Sequence, residues 1–180
     1  MKLHENKTLF RQAVQFTADQ MKIPAIYVEK DYWVTYALCT IFNNEIGKDT
    51  VFKGGTALSK CYNMIERFSE DIDLALDREF LGFTGELSKQ DIKKLRRKSY
   101  QFITETFTEE LKNKFAELGF KEVTVKYREV ENHDQDPLII EIYYNKLTET
   151  DTYLKPGVLV EVGCRSLKEP FTQRTFGTFV

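Results

Sequence analysis

The sequence predicts an α+β fold, in which helices pack against a mixed β-sheet. Before residue 48, apolar residues recur at spacings of three and four, which is typical of amphipathic helices. After residue 120 the chain is rich in β-branched and aromatic runs, which favour strands. Between these regions, Thr50 to Leu76 has the pattern of a strand, a turn, a helix and a second strand. The 180 residues, 42% of them hydrophobic, are enough for one domain with a buried core.

Two helices are expected in the N-terminal part. Apolar residues between Leu9 and Met21 predict an amphipathic helix that ends near Pro24. Pro24 is well placed to open a second helix. The amide hydrogen at the first position of a helix has no partner within the helix, so proline, which lacks this hydrogen, loses no bond there. The second helix carries a wide apolar stripe from Trp33 to Phe42, so we expect it to be a packing element.

Shorter elements are expected in the centre of the chain. "TVFK" predicts a strand, "GGT" a turn and Ala57 to Ile65 a short helix, while the alternation in "DIDLAL" predicts a second strand. A longer helix is expected from Ser88, which can form a capping box with Asp91, to Gly119 just after the helix end. Three further strands are predicted: Val123 to Val130, Leu138 to Tyr144 and Val158 to Val162.

Composition excludes several classes of protein. A net charge of −2 gives no overall attraction to nucleic acid, so contact with a polyanion would need a local basic patch. The three cysteines form no CxxC pattern, which argues against a zinc site or a disulfide framework. There is neither a signal-peptide core nor an apolar run of the roughly 18 residues that a membrane span needs. We therefore expect a cytoplasmic protein with no membrane partner.

The chemistry is predicted to lie at Asp71 and Asp73. Residues two apart on a strand point to the same face, so the two carboxylates project together. At a separation of about 6.5 Å and an effective dielectric of about 20, they repel each other by about 2.5 kcal/mol, which a divalent cation would reverse. Mg²⁺, or Mn²⁺ as an alternative, is a hard cation that suits such oxygen ligands. The competing interpretation is a pair of solvated acids on an exposed strand face.

The "GGT" string before this strand favours the functional interpretation. Gly54 and Gly55 allow the backbone to turn its amides toward a ligand, and Thr56 can add a hydroxyl at the start of the following helix. Such an arrangement is suited to phosphate, although a lone Gly-Gly is more often a plain turn. Together with the carboxylate pair, it places phosphate donors and metal ligands on adjacent elements, as in-line phosphoryl or nucleotidyl transfer requires.

A third carboxylate, Glu161, lies within the apolar run "GVLVEVG". If its strand pairs with the strand of Asp71, Glu161 completes a cluster that can help to hold metal or accept a proton from an attacking hydroxyl. The alternative is an edge strand with Glu161 in water. Lys60, one helical turn beyond Thr56, is a further candidate for a phosphate contact, with an ordinary surface lysine as the alternative. Lys53 in "FKGGT" and Arg67 and Ser69 in "RFSEDID" are candidates to border the same site, where Arg67 can contact a phosphate through two hydrogen bonds.

Four strings in this order resemble the AbiEii/AbiGii toxin family of nucleotidyltransferases. They are "VEKDYW" (28–33), "FKGGTALSK" (52–60), "ERFSEDIDL" (66–74) and "VEVGCRS" (160–166). The resemblance implies a polymerase-β-like nucleotidyltransferase fold, with Gly54, Gly55 and Thr56 in the nucleotide-phosphate turn and Asp71 and Asp73 as metal ligands. It also implies that Glu161 is the acid of the family's later strand.

The resemblance further implies a toxin of a two-gene toxin–antitoxin system that is associated with abortive phage infection. Members are encoded beside a winged-helix repressor, and some attach nucleotides to the 3′ end of transfer RNA. We therefore expect an enzyme that transfers NMP from an NTP to a hydroxyl of RNA or protein. Fuller relatives continue into a helical C-terminal part, so we expect residues 1–180 to be a single nucleotidyltransferase domain that lacks that part.

Two other functions remain open at this stage. A non-catalytic nucleotide-binding or interaction module would need only the phosphate turn to be intact. An aspartyl phosphatase also uses a DxD motif, but its nucleophilic aspartate should end a hydrophobic strand, whereas "ERFSE" precedes Asp71. Elsewhere, Lys30 and Asp31 are expected to form an exposed pair or a structural tie to the sheet. Basic residues at the start of the long helix are interpreted as a solvated face or, less favourably, as an RNA contact. They are Lys89, Lys93, Lys94, Arg96, Arg97 and Lys98.

Overall fold

The fold begins with two long helices that pack against each other. The structure is a computed structural model that describes residues 2–64, 71–120, 122–148, 157–165 and 171–180. After a short 3₁₀ turn, α1 spans Lys7–Met21 and α2 spans Ala25–Phe42, as the sequence predicts. The left-handed conformation of Lys22 ends α1, and Pro24 caps the start of α2. A single turn of helix, α3 (Glu45–Lys48), leads into the sheet.

The central unit differs from the prediction at its turn. Strand β1 (Thr50–Lys53) passes directly into α4 (Gly54–Tyr62), and β2 (Asp71–Leu76) follows. The predicted separate turn at "GGT" and the helix start at Ala57 are therefore wrong, because the chain changes direction at one residue. Gly54 adopts φ of +76°, a conformation open to glycine, so the helix can begin immediately after the strand.

The predicted long helix is present but not uniform. It consists of α5 (Lys89–Gln101), a π-helical segment (Phe102–Phe107) and α6 (Thr108–Glu117). The predicted capping box between Ser88 and Asp91 is confirmed, and Gly119 follows the end of α6 at φ of +82°. Within the wider π turn, the Thr108 hydroxyl donates to the carbonyl of Ile103, five residues earlier, at 2.8 Å. Sequence periodicity does not distinguish such a segment from ordinary helix.

Five strands form one mixed sheet in the order β1-β2-β5-β4-β3. The last three are β3 (Thr124–Tyr127), β4 (Leu138–Tyr143) and β5 (Val158–Gly163). Strands β2 and β5 pair in parallel, and all other neighbours are antiparallel. The predicted α+β class with a mixed sheet is confirmed. Strand β3 begins one residue later than predicted, because the amide of Val123 donates to the carbonyl of Phe120 and so belongs to the preceding turn, and it ends at Tyr127, before the predicted Val130.

In the middle of the sheet, β2 has one apolar face and one polar face. Ile72, Leu74 and Leu76 of β2 are at most 1% exposed and pack into the core that the helices cover. Asp71 and Asp73 alternate with them and therefore lie on the opposite, half-buried face. In the described part of the chain, no helix is long and apolar enough to cross a membrane. The polar face of β2 thus carries the two aspartates that the sequence predicts for the site.

Candidate active site

The sheet places three acidic residues on one face. Asp73 is opposite Glu161 in the parallel β2–β5 pair, and Asp71 lies two residues earlier on β2. Because β5 pairs with β2 on one side and β4 on the other, it is an interior strand. The edge-strand alternative for Glu161 is therefore wrong, and the predicted adjacency of the two strands is confirmed. Asp71 opens β2 and does not end it, which argues against the nucleophile of an aspartyl phosphatase.

Burial and neighbouring charges perturb the carboxyl group of Asp73. Its pKa is raised above the ordinary value, first by burial and then by the nearby charge of Asp71, while Lys53 acts in the opposite direction. Lys53 is the residue directly opposite Asp73 on β1. The raised pKa shows that burial and the charge of Asp71 outweigh the effect of Lys53 on Asp73, and a carboxyl group in such surroundings would gain from a bound cation.

Gly54 brings the carboxylate pair against the start of α4. A Cβ atom at Gly54 would lie 2.0 Å from Oδ2 of Asp73 and 2.7 Å from its Cγ. The backbone at the start of α4 and the Asp73 side chain are therefore in direct contact. The first amides of a helix lack partners within the helix and carry a partial positive charge, so they are suited to phosphate. The predicted phosphate donors and metal ligands are thus adjacent in space.

Thr56 links the same two elements from inside. Its side chain is 1% exposed, and its hydroxyl donates to the backbone carbonyl of Asp71 at 2.5 Å. This bond fixes the start of β2 relative to the first turn of α4, in which Gly55 also lies. The sequence predicts a hydroxyl directed at phosphate, whereas the structure gives this hydroxyl a role in holding the two elements together.

Lys60 is neither an exposed surface lysine nor a free phosphate ligand. Its side chain is 6% exposed and forms a buried ion pair with Asp31 of α2. The same ammonium group donates to the carbonyl of Gly177 at 3.1 Å, and Asp31 also accepts a bond from the amide of Phe179 at 2.8 Å. Asp31 is therefore a structural tie, but the contacts shown join α2 to α4 and the 171–180 segment and not to the sheet, as the sequence had suggested.

We expect Asp31→Asn to lower the free energy of unfolding by about 3 kcal/mol, because it leaves the buried Lys60 ammonium without its counter-charge. Chemical denaturation of both proteins measures the difference. Glu45→Gln is a matched control, since it breaks an ion pair with Lys48 whose side chains are 67% and 83% exposed. That control should change stability by less than about 0.5 kcal/mol. An Asp31→Asn protein as stable as the wild type would contradict the tie.

Sequence reasoning missed the role of the charges in "VEKDYW". Glu29, Lys30 and Asp31 are at most 4% exposed, although they are consecutive residues of one helix. Glu29 accepts bonds from the amides of Leu147 and Thr148, which fixes the chain after β4. The sequence did indicate that these charges are buried, because three consecutive charged residues interrupt an otherwise apolar helix sequence. Arg67 and Ser69, in contrast, lie outside the described residues.

A cavity beside the N-terminal helices lies away from the carboxylates. It has a volume of about 250 Å³ and is lined by Trp33, Phe120 and residues of the N-terminal helices. None of the three acids borders it. The candidate active site is accordingly the polar face of β2 and β5 and not this cavity.

The residues of the polar face fit a metal that is shared with a substrate. Within residues that the structure describes, no group of three or more His, Cys, Asp or Glu side chains is arranged to hold a metal ion. Mg²⁺ does not need such a cage, since it commonly binds through one or two carboxylates, water and substrate phosphates. Asp71 and Asp73 supply two hard oxygen donors beside the start of α4, as such a shared ion requires.

The chain was compared with known families and proteins. A family model described as "Nucleotidyl transferase AbiEii toxin, Type IV TA system" matches residues 36–180. This range includes β1, α4, β2 and β5, which carry the polar face, but not the "VEKDYW" string of α2. Neither the curated proteins nor the solved structures gave a match. Because the matched range is well over half of the chain, the protein belongs to the AbiEii family of nucleotidyl transferase toxins of type IV toxin–antitoxin systems.

Proposed function

We propose that this chain is a Mg²⁺-dependent nucleotidyltransferase, which moves NMP from an NTP to a hydroxyl group of RNA or protein and releases pyrophosphate. The observation that carries the proposal is the contact between Asp73 and Gly54. It puts a carboxylate pair suited to a metal beside helix amides suited to phosphate. The family adds an antitoxin as a partner, and we propose that a winged-helix protein encoded nearby has this role.

The start of α4 and the three acidic residues each have a role in the proposed reaction. The first amides of α4 orient the β- and γ-phosphates, and Asp71 and Asp73 hold the ion. When bound, Mg²⁺ neutralises charge on the phosphates and favours in-line attack. The acceptor oxygen forms a bond to the α-phosphorus, the bond from that phosphorus to the bridging oxygen breaks, and pyrophosphate leaves. Glu161, opposite Asp73, accepts the proton of the acceptor hydroxyl.

The transfer step is tested with α-labelled NTPs. Each of the four is incubated with the protein, Mg²⁺ and either pooled RNA or a protein extract, and label in the macromolecular fraction is counted. We expect label from one or more NTPs, and we expect EDTA to abolish it. Label that appears equally with EDTA would contradict the metal dependence. In a parallel reaction with γ-labelled NTP, label in the product would indicate phosphoryl transfer instead.

Glu161→Gln separates the proton acceptor from the metal ligands. We expect transfer to fall by about 10²-fold or more, because general-base catalysis commonly contributes that much. Binding of Mg-NTP should stay within about threefold of wild type, since the first amides of α4 and both aspartates are unchanged. Transfer rates and calorimetric binding measure the two quantities. Loss of Mg-NTP binding together with transfer would make Glu161 a metal ligand and not the base.

A further inference from the structure

Three charged residues form one row across the sheet. Lys53 on β1 is directly opposite Asp73 on β2, and Asp73 is directly opposite Glu161 on β5. Residues that are opposite each other on paired strands point to the same face, so all three lie on the polar face. Neighbouring strands are about 4.8 Å apart, which puts the backbones of Lys53 and Glu161 about 10 Å from each other. The row therefore has a cation at one end, the proposed proton acceptor at the other and a proposed metal ligand between them.

Lys53 also adjoins the proposed phosphate donors. It is the last residue of β1 and the N-cap of α4, so it immediately precedes Gly54. The residue is exposed, and it can therefore be reached by a substrate on the polar face. Burial and then Asp71 raise the pKa of Asp73, whereas the charge of Lys53 lowers it. The ammonium group of Lys53 therefore acts on the carboxylate at the centre of the row and borders the start of α4 at the same time.

The order of the row matches the order of the groups in an in-line displacement. In the proposed reaction the β- and γ-phosphates bind the first amides of α4, on the Lys53 side of Asp73. Glu161, on the other side of Asp73, accepts the proton of the acceptor hydroxyl. The attacking and leaving oxygens are on opposite sides of the phosphorus in such a displacement. The leaving oxygen, which bridges the α- and β-phosphates, would therefore develop its negative charge next to Lys53.

We propose that Lys53 is the general acid of the reaction, which protonates pyrophosphate as it leaves. The inference rests on the proposed function and adds a catalytic residue to it. The acceptor hydroxyl gives its proton to Glu161 while its oxygen forms a bond to the α-phosphorus. The bond from that phosphorus to the bridging oxygen breaks, the electron pair stays on this oxygen, and the oxygen takes a proton from the Lys53 ammonium group. The neutral amine and the protonated Glu161 then exchange protons with water, which restores both groups.

Two substitutions separate proton transfer from charge. Lys53→Arg keeps the positive charge, but a guanidinium group does not release its proton in proteins, whereas Lys53→Gln removes both charge and proton. We expect each to lower single-turnover transfer by about 10²-fold or more, which is the usual contribution of a general acid. Lys53→Arg should bind Mg-NTP within about threefold of wild type, because it keeps the charge. Lys48→Arg, in an exposed pair with Glu45, is the matched control and should transfer like the wild type.

The sharpest test changes the leaving group. Two α-labelled analogues of an NTP that labels an acceptor are compared in single turnover, one with a β,γ-methylene bridge and one with a β,γ-difluoromethylene bridge. The acceptor is pooled RNA or protein extract, whichever takes the label. The methylene bridge makes the leaving oxygen more basic and the difluoromethylene bridge makes it less basic, so loss of a proton donor affects the methylene analogue more. We expect Lys53→Arg to lower transfer at least about tenfold more with the methylene analogue.

Two results overturn the inference and leave the proposed function standing. One is transfer by Lys53→Arg at the rate of the wild type, which would reduce the role of Lys53 to its charge. The other is an equal loss with both analogues, which would show that Lys53 gives no proton to the leaving oxygen. A wild type that labels no acceptor would instead contradict the proposed function, and the role of Lys53 with it. Because Lys53 is exposed, both variants should fold, which circular dichroism and thermal melts check.

Discussion

Gly54→Ala is expected to reduce nucleotidyl transfer by about 10²-fold or more, because a displacement near 1 Å in a reacting site has effects of that size. The new Cβ would lie 2.0 Å from Oδ2 and 2.7 Å from Cγ of Asp73. Rotation of the Asp73 side chain can move both atoms but not the Asp73 Cβ, which would remain 3.0 Å away. The carboxylate must therefore leave its place or the start of α4 must shift, and either change separates the metal ligands from the phosphate donors.

The same substitution also strains the backbone. Gly54 has φ of +76°, which costs an L-residue about 1–2 kcal/mol. Gly85→Ala is a matched control, since Gly85 has φ of +66° and a Cβ there would meet nothing within 4 Å. The control should lose similar stability and keep full activity. Transfer rates and denaturation curves of both variants test this, and equal activity losses would show that strain alone is responsible.

Asp71→Asn/Asp73→Asn is expected to reduce transfer by about 10³-fold or more, because it removes both charged ligands from the proposed metal site. The double variant should nevertheless be slightly more stable than the metal-free wild type, since it relieves the repulsion between the two carboxylates. Solvent screening of this half-exposed pair limits the gain to about 0.5 kcal/mol, or about 1–2 °C in melting temperature. Asp19→Asn, on the exposed side of α1, is the control and should change neither quantity.

The difference in stability between Asp73→Asn and the metal-free wild type should increase as pH rises. The folded-state pKa of Asp73 is raised by burial and by Asp71, so above the ordinary value of about 3.9 the folded state holds more protons than the unfolded state. The metal-free wild type therefore loses stability as pH rises from about 4 through the raised pKa. Asp73→Asn lacks this loss, so its advantage in melting temperature should grow over that range. An advantage that shrinks with rising pH would contradict the raised pKa.

The sequence predicted strands β2 and β5 correctly because the signals for them are local. Alternation in "DIDLAL" identified β2, and the acid within an apolar run identified Glu161, whose pairing with Asp73 the sheet confirms. The helix start at Gly54 was missed, because a single glycine with positive φ can replace a separate turn. Lys60 was misjudged for a different reason. Its partner Asp31 is 29 residues away, and no local pattern indicates a pairing between two helices.

The most direct test of the account is calorimetric titration of wild type with each of the four NTPs, with and without Mg²⁺, alongside Asp71→Asn/Asp73→Asn. The account predicts binding of at least one NTP that requires Mg²⁺ and is lost in the double variant, while both proteins remain folded. Binding of equal affinity in the double variant, or in the absence of Mg²⁺, would contradict the assignment of Asp71 and Asp73 as metal ligands. A folded wild type that binds none of the four would contradict the nucleotide site itself.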